Sequence, residues 1–221
     1  PSALGYLKYI VENDDSEQLK ELAIVAIERI DGSALKVPAA ELFFQLGMKY
    51  YHHDKSLAPA EDADFGNIWF WNAGEASLVR QKVDRDWFNE LMAMRVCEFA
   101  LMANSGMPRA ISLWLAAFYK AESVSLAHPA YFGTDHPDAM TYATTAGAEY
   151  LHQALEWAIN DNDSFVALGL VEALAVNAGE KSLLFRIGTA QPLVRALSFN
   201  NRAVRYSAAI AIGSAGPGAD F

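Results

Sequence analysis

The chain has 221 residues, of which 52% are hydrophobic and 20% charged, and this length suits one extended domain or two small ones. Its net charge of −10 argues against nucleic-acid binding, because phosphate contacts require a surface rich in Lys and Arg. No apolar run approaches the ~20 residues that a transmembrane helix needs, and the single cysteine, Cys97, excludes an internal disulfide.

The first predicted elements are two helices, over residues 5–11 and 17–31, joined by a polar turn. Ser16 is placed as the N-cap of the second helix, and Gly32 ends it. Four apolar side chains recur between them at helical spacing and form one stripe: Leu19, Ala23, Ala26 and Ile27. The segment 1–32 therefore predicts a helix pair.

The next helix is predicted over residues 38–52, and a long insertion, residues 53–83, follows it. The insertion begins with an acidic, proline-containing sequence and then becomes very rich in aromatic residues. A connection of this length without a helix is usually functional or disordered, and its tryptophans argue for packed structure over disorder. We expect a loop that folds back over the helices. The alternative is that Trp69, Phe70 and Trp71 form a short strand.

Three further helices are predicted after the insertion, at residues 87–103, 108–123 and 139–159. Asp86 and Asp138 are placed as the N-caps of the first and the third of these helices. Gly147 is expected to loosen the third helix, and a second long loop, residues 124–137, precedes it.

The chain from residue 163 onward repeats the pattern of the first helix pair. Asp163 and Asn201 are placed as N-caps. Each is followed by a stripe of four apolar residues, namely Val166, Leu170, Ala173 and Leu174 in one case and Val204, Ala208, Ala211 and Ile212 in the other. Val166 and Val204 lie 38 residues apart, and a helical pair repeated at a period of ~40 residues is typical of an α-solenoid.

The segment 200–213, NNRAVRYSAAIAIG, resembles the second helix of a HEAT repeat. That family carries a turn Asp or Asn, a Val-Arg pair, two alanines and a closing glycine, which correspond here to Asn201, Val204-Arg205, Ala208-Ala209 and Gly213. Residues 46–51, Leu-Gly-x-x-Tyr-Tyr, are similar to part of a tetratricopeptide repeat. The resemblance implies an all-α fold, an armadillo-like α-α superhelix of antiparallel HEAT-like helix pairs with a long aromatic-rich loop insertion.

We therefore predict a single α-solenoid domain over residues 1–221, which we expect to be a fragment of a longer chain. Residues 1–32 form the first helix pair, residues 38–123 a tetratricopeptide-like middle that carries the insertion 53–83, and residues 138–217 two HEAT-like pairs. Repeats of this kind share faces, and terminal ones need a cover. The last helix ends in apolar sequence, which predicts self-association or further repeats at the C-terminal end.

Few residues are arranged for catalysis or metal binding. The His-His-Asp run at 52–54 offers possible metal ligands, and so does a loop containing His128, Asp135, His136 and Asp138. Their spacing favours helix ends, turns and caps. Cys97 lies in an apolar helix, where a thiol is inert, and no nucleotide-binding or metalloprotease motif is present. We predict no catalytic residue, no metal ligand and no cofactor.

The remaining candidates for recognition are mainly aromatic, because Trp and Tyr give a large contact area at few rotatable bonds. The candidate partner-binding residues are Tyr50, Tyr51, Trp69, Trp71, Trp87 and, in the HEAT-like helix, Arg205. The alternative role of the aromatic residues is a local core that fixes the insertion.

The resemblance implies a non-catalytic scaffold that binds a protein or a peptide. One alternative is a HEAT-like enzyme of lyase type, or a small-ligand-binding protein, in which polar groups such as Asp84, Arg85 and Asp86 converge beside the tryptophans of the insertion. The other alternative is a purely structural segment of a longer scaffold.

Overall fold

The computed structural model describes residues 2–124, 136–177, 179 and 185–216. Within these ranges the protein is mostly helical, with ten α-helices and one two-stranded sheet. None of these helices combines the length and the apolar character that crossing a bilayer would require. The chain divides into two compact units, Pro1–Ala110 and Ile111–Phe221.

The first unit contains, in chain order, α1 (Leu4–Asn13), α2 (Glu17–Asp31), a 3₁₀ helix (Gly32–Lys36), α3 (Ala39–Tyr51), β1 (Phe65–Asn72), β2 (Ser77–Asp84) and α4 (Arg85–Ala103). Ser16 caps α2 as predicted, because its hydroxyl oxygen accepts the backbone N–H of Leu19 at 3.3 Å. Helices α3 and α4 form the most extensive contact of this unit. Their fully buried side chains include Phe43, Tyr51 and Leu91, so this contact is the core of the unit.

The insertion contains a β-hairpin where the sequence predicted a loop. Strands β1 and β2 pair antiparallel, from Phe65 opposite Asp84 to Asn72 opposite Ser77. The side-chain oxygen of Asn72 accepts the backbone N–H groups of Gly74 and Glu75 and so closes the turn. The strand that was the alternative for residues 69–71 is therefore part of β1. Long-range packing, and not local sequence pattern, selects this structure.

Asp86 does not cap α4, in contrast to the prediction. The helix begins at Arg85, and Asp84 occupies the cap position without a side-chain capping bond. Asp86 lies in the first turn of the helix, where a carboxylate interacts favourably with the positive end of the helix dipole. Strand β2 runs directly into α4, which explains why no separate capping turn is formed.

The second unit contains most of α5 (Pro108–Val124) and then α6 (Ala139–Ala146), α7 (Ala148–Asn160), α8 (Ser164–Asn177), α9 (Pro192–Ala196) and α10 (Arg202–Ser214). The helix predicted over residues 139–159 is divided into α6 and α7 at Gly147. This glycine has φ 134° and ψ 143°, a conformation that L-residues with a side chain rarely adopt. Asp138 caps α6 as predicted, accepting from the backbone N–H of Thr141 at 2.7 Å.

Helix α8 packs against both α7 and α10, so consecutive helix pairs lie side by side in this unit. The predicted caps are present, because Asp163 accepts from the backbone N–H of Val166 and Asn201 from that of Ala203. All eight residues of the two predicted stripes are buried. The first stripe, in α2, is only partly buried, because Leu19 faces solvent.

Candidate partner-binding surface

One face of the β-hairpin carries large apolar side chains that face solvent. The strand register places Trp69 opposite Arg80 and Trp71 opposite Leu78, and directly opposed residues point to the same side of a sheet. Trp69, Trp71 and Leu78 are 52%, 65% and 64% exposed. We call this surface, made of Trp69, Trp71, Leu78, Arg80 and Lys82, the hairpin face.

The opposite side of the hairpin is packed against α4. Ile68 and Val83 are almost fully buried. Gly66 lies so close to Phe88 that a β-carbon at this position would come within 2.1 Å of the ring carbon Cδ2. Only glycine allows β1 to approach the helix this closely, so Gly66 belongs to the packed side of the hairpin.

Arg95 of α4 holds β1 in place through two kinds of contact. Its Nη2 donates a hydrogen bond to the main-chain carbonyl of Trp69 at 2.7 Å. Its guanidinium also lies 4.2 Å from the centroid of the Phe70 ring, a favourable cation–π contact. The hairpin face is therefore supported from behind by a charged side chain that is itself anchored on a helix.

The hairpin face is locally cationic although the chain is acidic. Arg80 and Lys82 occupy alternate positions of β2 and therefore project to the same side. Lys82 also lies over the ring of Phe65, with its Nζ 4.4 Å from the ring centroid. Asp84, at the end of β2, is the one acidic residue in the two strands. The result is an aromatic surface flanked by two positive charges.

The structure brings only two of the six predicted partner-binding residues to this surface, namely Trp69 and Trp71. Tyr50 and Tyr51 are buried, and burial raises the pKa of the Tyr50 hydroxyl. The end of α3 packs into the unit's interior, which makes both tyrosines core residues. Trp87 is half-buried, and its indole Nε1 is out of contact with solvent.

Arg205 has a structural role at the turn that precedes α10. Its Nη1 donates to the main-chain carbonyls of Phe199 and Asn200, at 2.7 and 2.8 Å. These are the carbonyls of the turn that precedes α10. The Nη1 of Arg205 therefore closes that turn, and a partner-binding role for Arg205 stays a prediction.

Sequence reasoning missed Leu78, Arg80 and Lys82. The signal was present in residues 77–84, SLVRQKVD, where alternate positions change between charged and apolar or amide side chains, as in a half-exposed strand. The preceding Asn-Ala-Gly-Glu segment is a turn signal of the kind that joins two strands. Both signals are compatible with two strands and a turn, but neither shows which side of the hairpin packs against α4.

Of the polar groups considered for a lyase-type site, Arg85 binds the backbone of the segment before β1. The Nη1 of Arg85 donates to the main-chain carbonyls of Ala60 and Ala63. Its own backbone N–H donates to the carbonyl of Asp64 at 2.9 Å. Arg85 therefore ties the acidic segment before β1 to the start of α4.

The residues considered as metal ligands or as a nucleophile are arranged differently from what such sites need. Asp54 accepts the backbone N–H and the hydroxyl of Ser56, and these bonds hold the pKa of its carboxyl below the usual value. Burial raises the pKa of the Cys97 thiol far above its usual range. In the parts of the chain that the structure describes, no three His, Cys, Asp or Glu side chains are placed to share a metal ion. His128 and Asp135 lie outside the described residues.

His53, whose side chain is 48% exposed, contacts the buried carboxylate of Glu90, and the sequence did not predict this contact. The carboxylate of Glu90 on α4 is 2% exposed, and its Oε1 lies 2.5 Å from Nε2 of His53. The second oxygen of Glu90 is buried without a hydrogen-bond partner of its own. His53 follows α3 in a left-handed conformation, with φ 54°. The contact joins the end of α3 to α4, which favours a structural role.

The second unit has an open groove of about 480 Å³ at the turn before α10. It is lined by Ile159, Asn162, Val194, Arg195, Ser198, Phe199 and Asn200. Its polar groups pair with protein partners, because Arg195 binds Glu156 and Asn160, and Asn200 donates to Asn162 at 3.0 Å. This pairing stabilises the junction of two helix pairs and leaves the hairpin face as the stronger candidate for recognition.

The assignment of the hairpin face as the candidate surface rests on the residues of this chain. No protein-family model, curated protein or solved structure matches the chain.

Proposed function

We propose that the protein is a non-catalytic scaffold that binds a protein or peptide through the hairpin face. In this proposal its helix pairs stack as a HEAT-like α-solenoid, with the helices around the hairpin as a tetratricopeptide-like middle. The side-by-side packing of α7, α8 and α10 and the buried stripes of α8 and α10 support the stacking. The turn-closing role of Arg205 supports the HEAT-like reading of the last helix pair.

The observation that carries the binding proposal is the exposure of Trp69, Trp71 and Leu78 on one rigidly supported face. Exposed tryptophans are costly in water and supply large contact areas at binding hot spots. Arg95 and the buried side of the hairpin already fix their position, so a partner would lose little by ordering them. A preorganised surface of this kind converts more of its contact energy into affinity.

We expect Trp71→Ser to reduce capture of the partner roughly 30-fold, since a hot-spot tryptophan contributes about 2 kcal/mol or more. The measurement is quantitative mass spectrometry of proteins that co-purify with the tagged chain from its native host. Leu22→Ser is the matched control, because Leu22 is similarly exposed, at 60% against 65% for Trp71, and belongs to α2 and not to the hairpin. Far-ultraviolet circular dichroism should show unchanged helicity in both variants.

Two outcomes would contradict this proposal. If every captured protein is retained equally by both variants, the hairpin face does not bind. If the captured species is the chain itself and depends on Ile210, the structural alternative is favoured. Ile210 and Tyr206 of α10 are more than half exposed, as the prediction of an apolar C-terminal surface requires.

A further inference from the structure

We propose that the occupant of the hairpin face is an extended, acidic segment of a partner protein that lies along β2. The segment places one apolar side chain against Trp71 and Leu78 and two carboxylates, at alternate positions, against Arg80 and Lys82. This inference rests on the proposed function and specifies the chemistry of its partner.

Charge complementarity is the first argument. The chain has a net charge of −10, yet β1 carries no charged residue and β2 carries Arg80 and Lys82 with Asp84 alone. The residues opposite the two cations, Trp69 and Asn67, are uncharged. Asp84 projects to the same side beyond Lys82, so the positive part of this face is at Arg80 and Lys82. A carboxylate that approaches there meets two positive charges, whereas it is repelled by the protein as a whole. Such a local reversal of sign selects where an acidic partner docks.

Spacing is the second argument. Leu78, Arg80 and Lys82 alternate along β2, so their side chains recur about every 6.6 Å. An extended partner segment presents its own side chains on one face with the same repeat. The order Leu78, Arg80, Lys82 is therefore matched by a segment with one apolar residue and with acidic residues two and four positions from it. The segment can run in either chain direction. A helical segment would present its side chains at about 5.4 Å per turn and would lose this register.

The free edge of β2 is the third argument. Within the described residues the sheet has two strands, so β2 pairs with β1 on one side alone. On the other edge of the sheet, Arg95 binds the carbonyl of Trp69, which obstructs addition of a strand beside β1. An extended segment can therefore add beside β2, where main-chain bonds supply affinity and alternate side chains supply specificity.

Single-stranded nucleic acid and anionic membranes are also negatively charged, but they suit the hairpin face less well than an acidic segment does. Single-stranded nucleic acid also stacks on aromatic side chains, but its phosphates need a basic groove along the backbone, and the hairpin face has two cations on a strongly acidic protein. Each basic residue near the surface raises a protein's affinity for an anionic membrane only about fivefold. Both become controls in the test.

The test uses fluorescence anisotropy with two fluorescein-labelled peptides, TLTETET and its reverse TETETLT, titrated with the protein to about 1 mM. We expect at least one of them to bind, and lysine in place of both glutamates to abolish binding. The charge-reversed variant Arg80→Glu with Lys82→Glu should weaken binding at least tenfold, because like charges face each other. The matched control, Lys36→Glu with Lys55→Glu, makes the same change in net charge at exposed sites outside the hairpin and should change binding less than about twofold.

Several results would overturn the inference. The first is that neither glutamate peptide binds. The second is that the lysine peptide binds as tightly as the glutamate peptide, and the third is that both charge-reversed variants lose the same amount of peptide affinity. Tighter binding of a labelled oligothymidine or of phosphatidylserine vesicles than of the peptides would assign the face to that polyanion instead. Trp71-dependent capture of a partner without peptide binding would retain the proposed function and reject the acidic segment, so the two failures can be distinguished.

Discussion

Replacing His53 with alanine is expected to lower the free energy of unfolding by roughly 1–2 kcal/mol, because the imidazole is half exposed and solvent screens part of the contact. The carboxylate of Glu90 is buried, and His53 is the partner of its Oε1 at 2.5 Å. Without the imidazole, Oε1 of Glu90 would lose its hydrogen bond as well, and less of the desolvation cost of the carboxylate would be offset. Urea denaturation followed by circular dichroism measures the change.

A double-mutant cycle with Glu90→Gln separates this contact from other effects of the substitution. His53 has φ 54°, and any backbone cost of alanine there is common to both backgrounds and cancels. We expect His53→Ala to cost at least about 1 kcal/mol less when residue 90 is glutamine, because a neutral amide costs less to leave unpaired. If His53→Ala lowers the free energy of unfolding equally in both backgrounds, the contact between His53 and Glu90 contributes no specific stability.

The substitution Gly66→Ala is expected to destabilise the first unit by about 1–3 kcal/mol, the usual range for overpacking. A β-carbon there would lie 2.1, 2.5 and 2.7 Å from three carbons of the Phe88 ring. The contact includes Cγ, at the base of the ring, and Phe88 is buried beside Tyr50, so the ring cannot simply turn away. We expect β1 to separate from α4, with faster hydrogen exchange over residues 65–84 measured by mass spectrometry.

The control for this substitution is Gly32→Ala. Gly32 has φ −60°, and nothing lies within 4 Å of the position its β-carbon would take. Alanine there should be neutral or stabilise the protein by up to about 1 kcal/mol, through the entropy of the unfolded chain. If Gly66→Ala behaves like Gly32→Ala, the close packing of β1 on α4 is wrong.

Most helices could be predicted because their signals are local. The limits of α2 coincide with the predicted residues 17–31, and its cap, Ser16, is adjacent in sequence. Asp163 and Asn201 were identified in the same way. A capping bond joins residues two or three positions apart, so the sequence alone contains both partners.

The hairpin could not be located by the same means. The run Trp69-Phe70-Trp71 has no polar alternation, and the burial of Ile68 and Val83 depends on α4, which follows later in the chain. Arg95, which binds the carbonyl of Trp69, is 26 residues away in sequence. The strand pairing is thus decided by contacts that periodicity within β1 does not contain.

The candidate site was predicted in part for the same reason. Composition identified the insertion as unusual, and Trp69 and Trp71 do lie on the hairpin face. Composition could not separate them from Tyr50 and Tyr51, because that distinction depends on which side of α3 meets α4. The cations of β2 were missed because their significance appears only when the register places them beside the tryptophans.

The central claim is that the hairpin has one side for packing and one side for a partner. The most direct test compares the free energies of unfolding of two double variants, Trp69→Ser with Trp71→Ser, and Ile68→Ser with Val83→Ser. We expect less than about 1 kcal/mol of destabilisation from the first pair, as for exposed strand positions, and at least about 3 kcal/mol from the second, as for core positions. A loss from the tryptophan pair as large as that from the inner pair would show that the tryptophans belong to the core and would contradict the account.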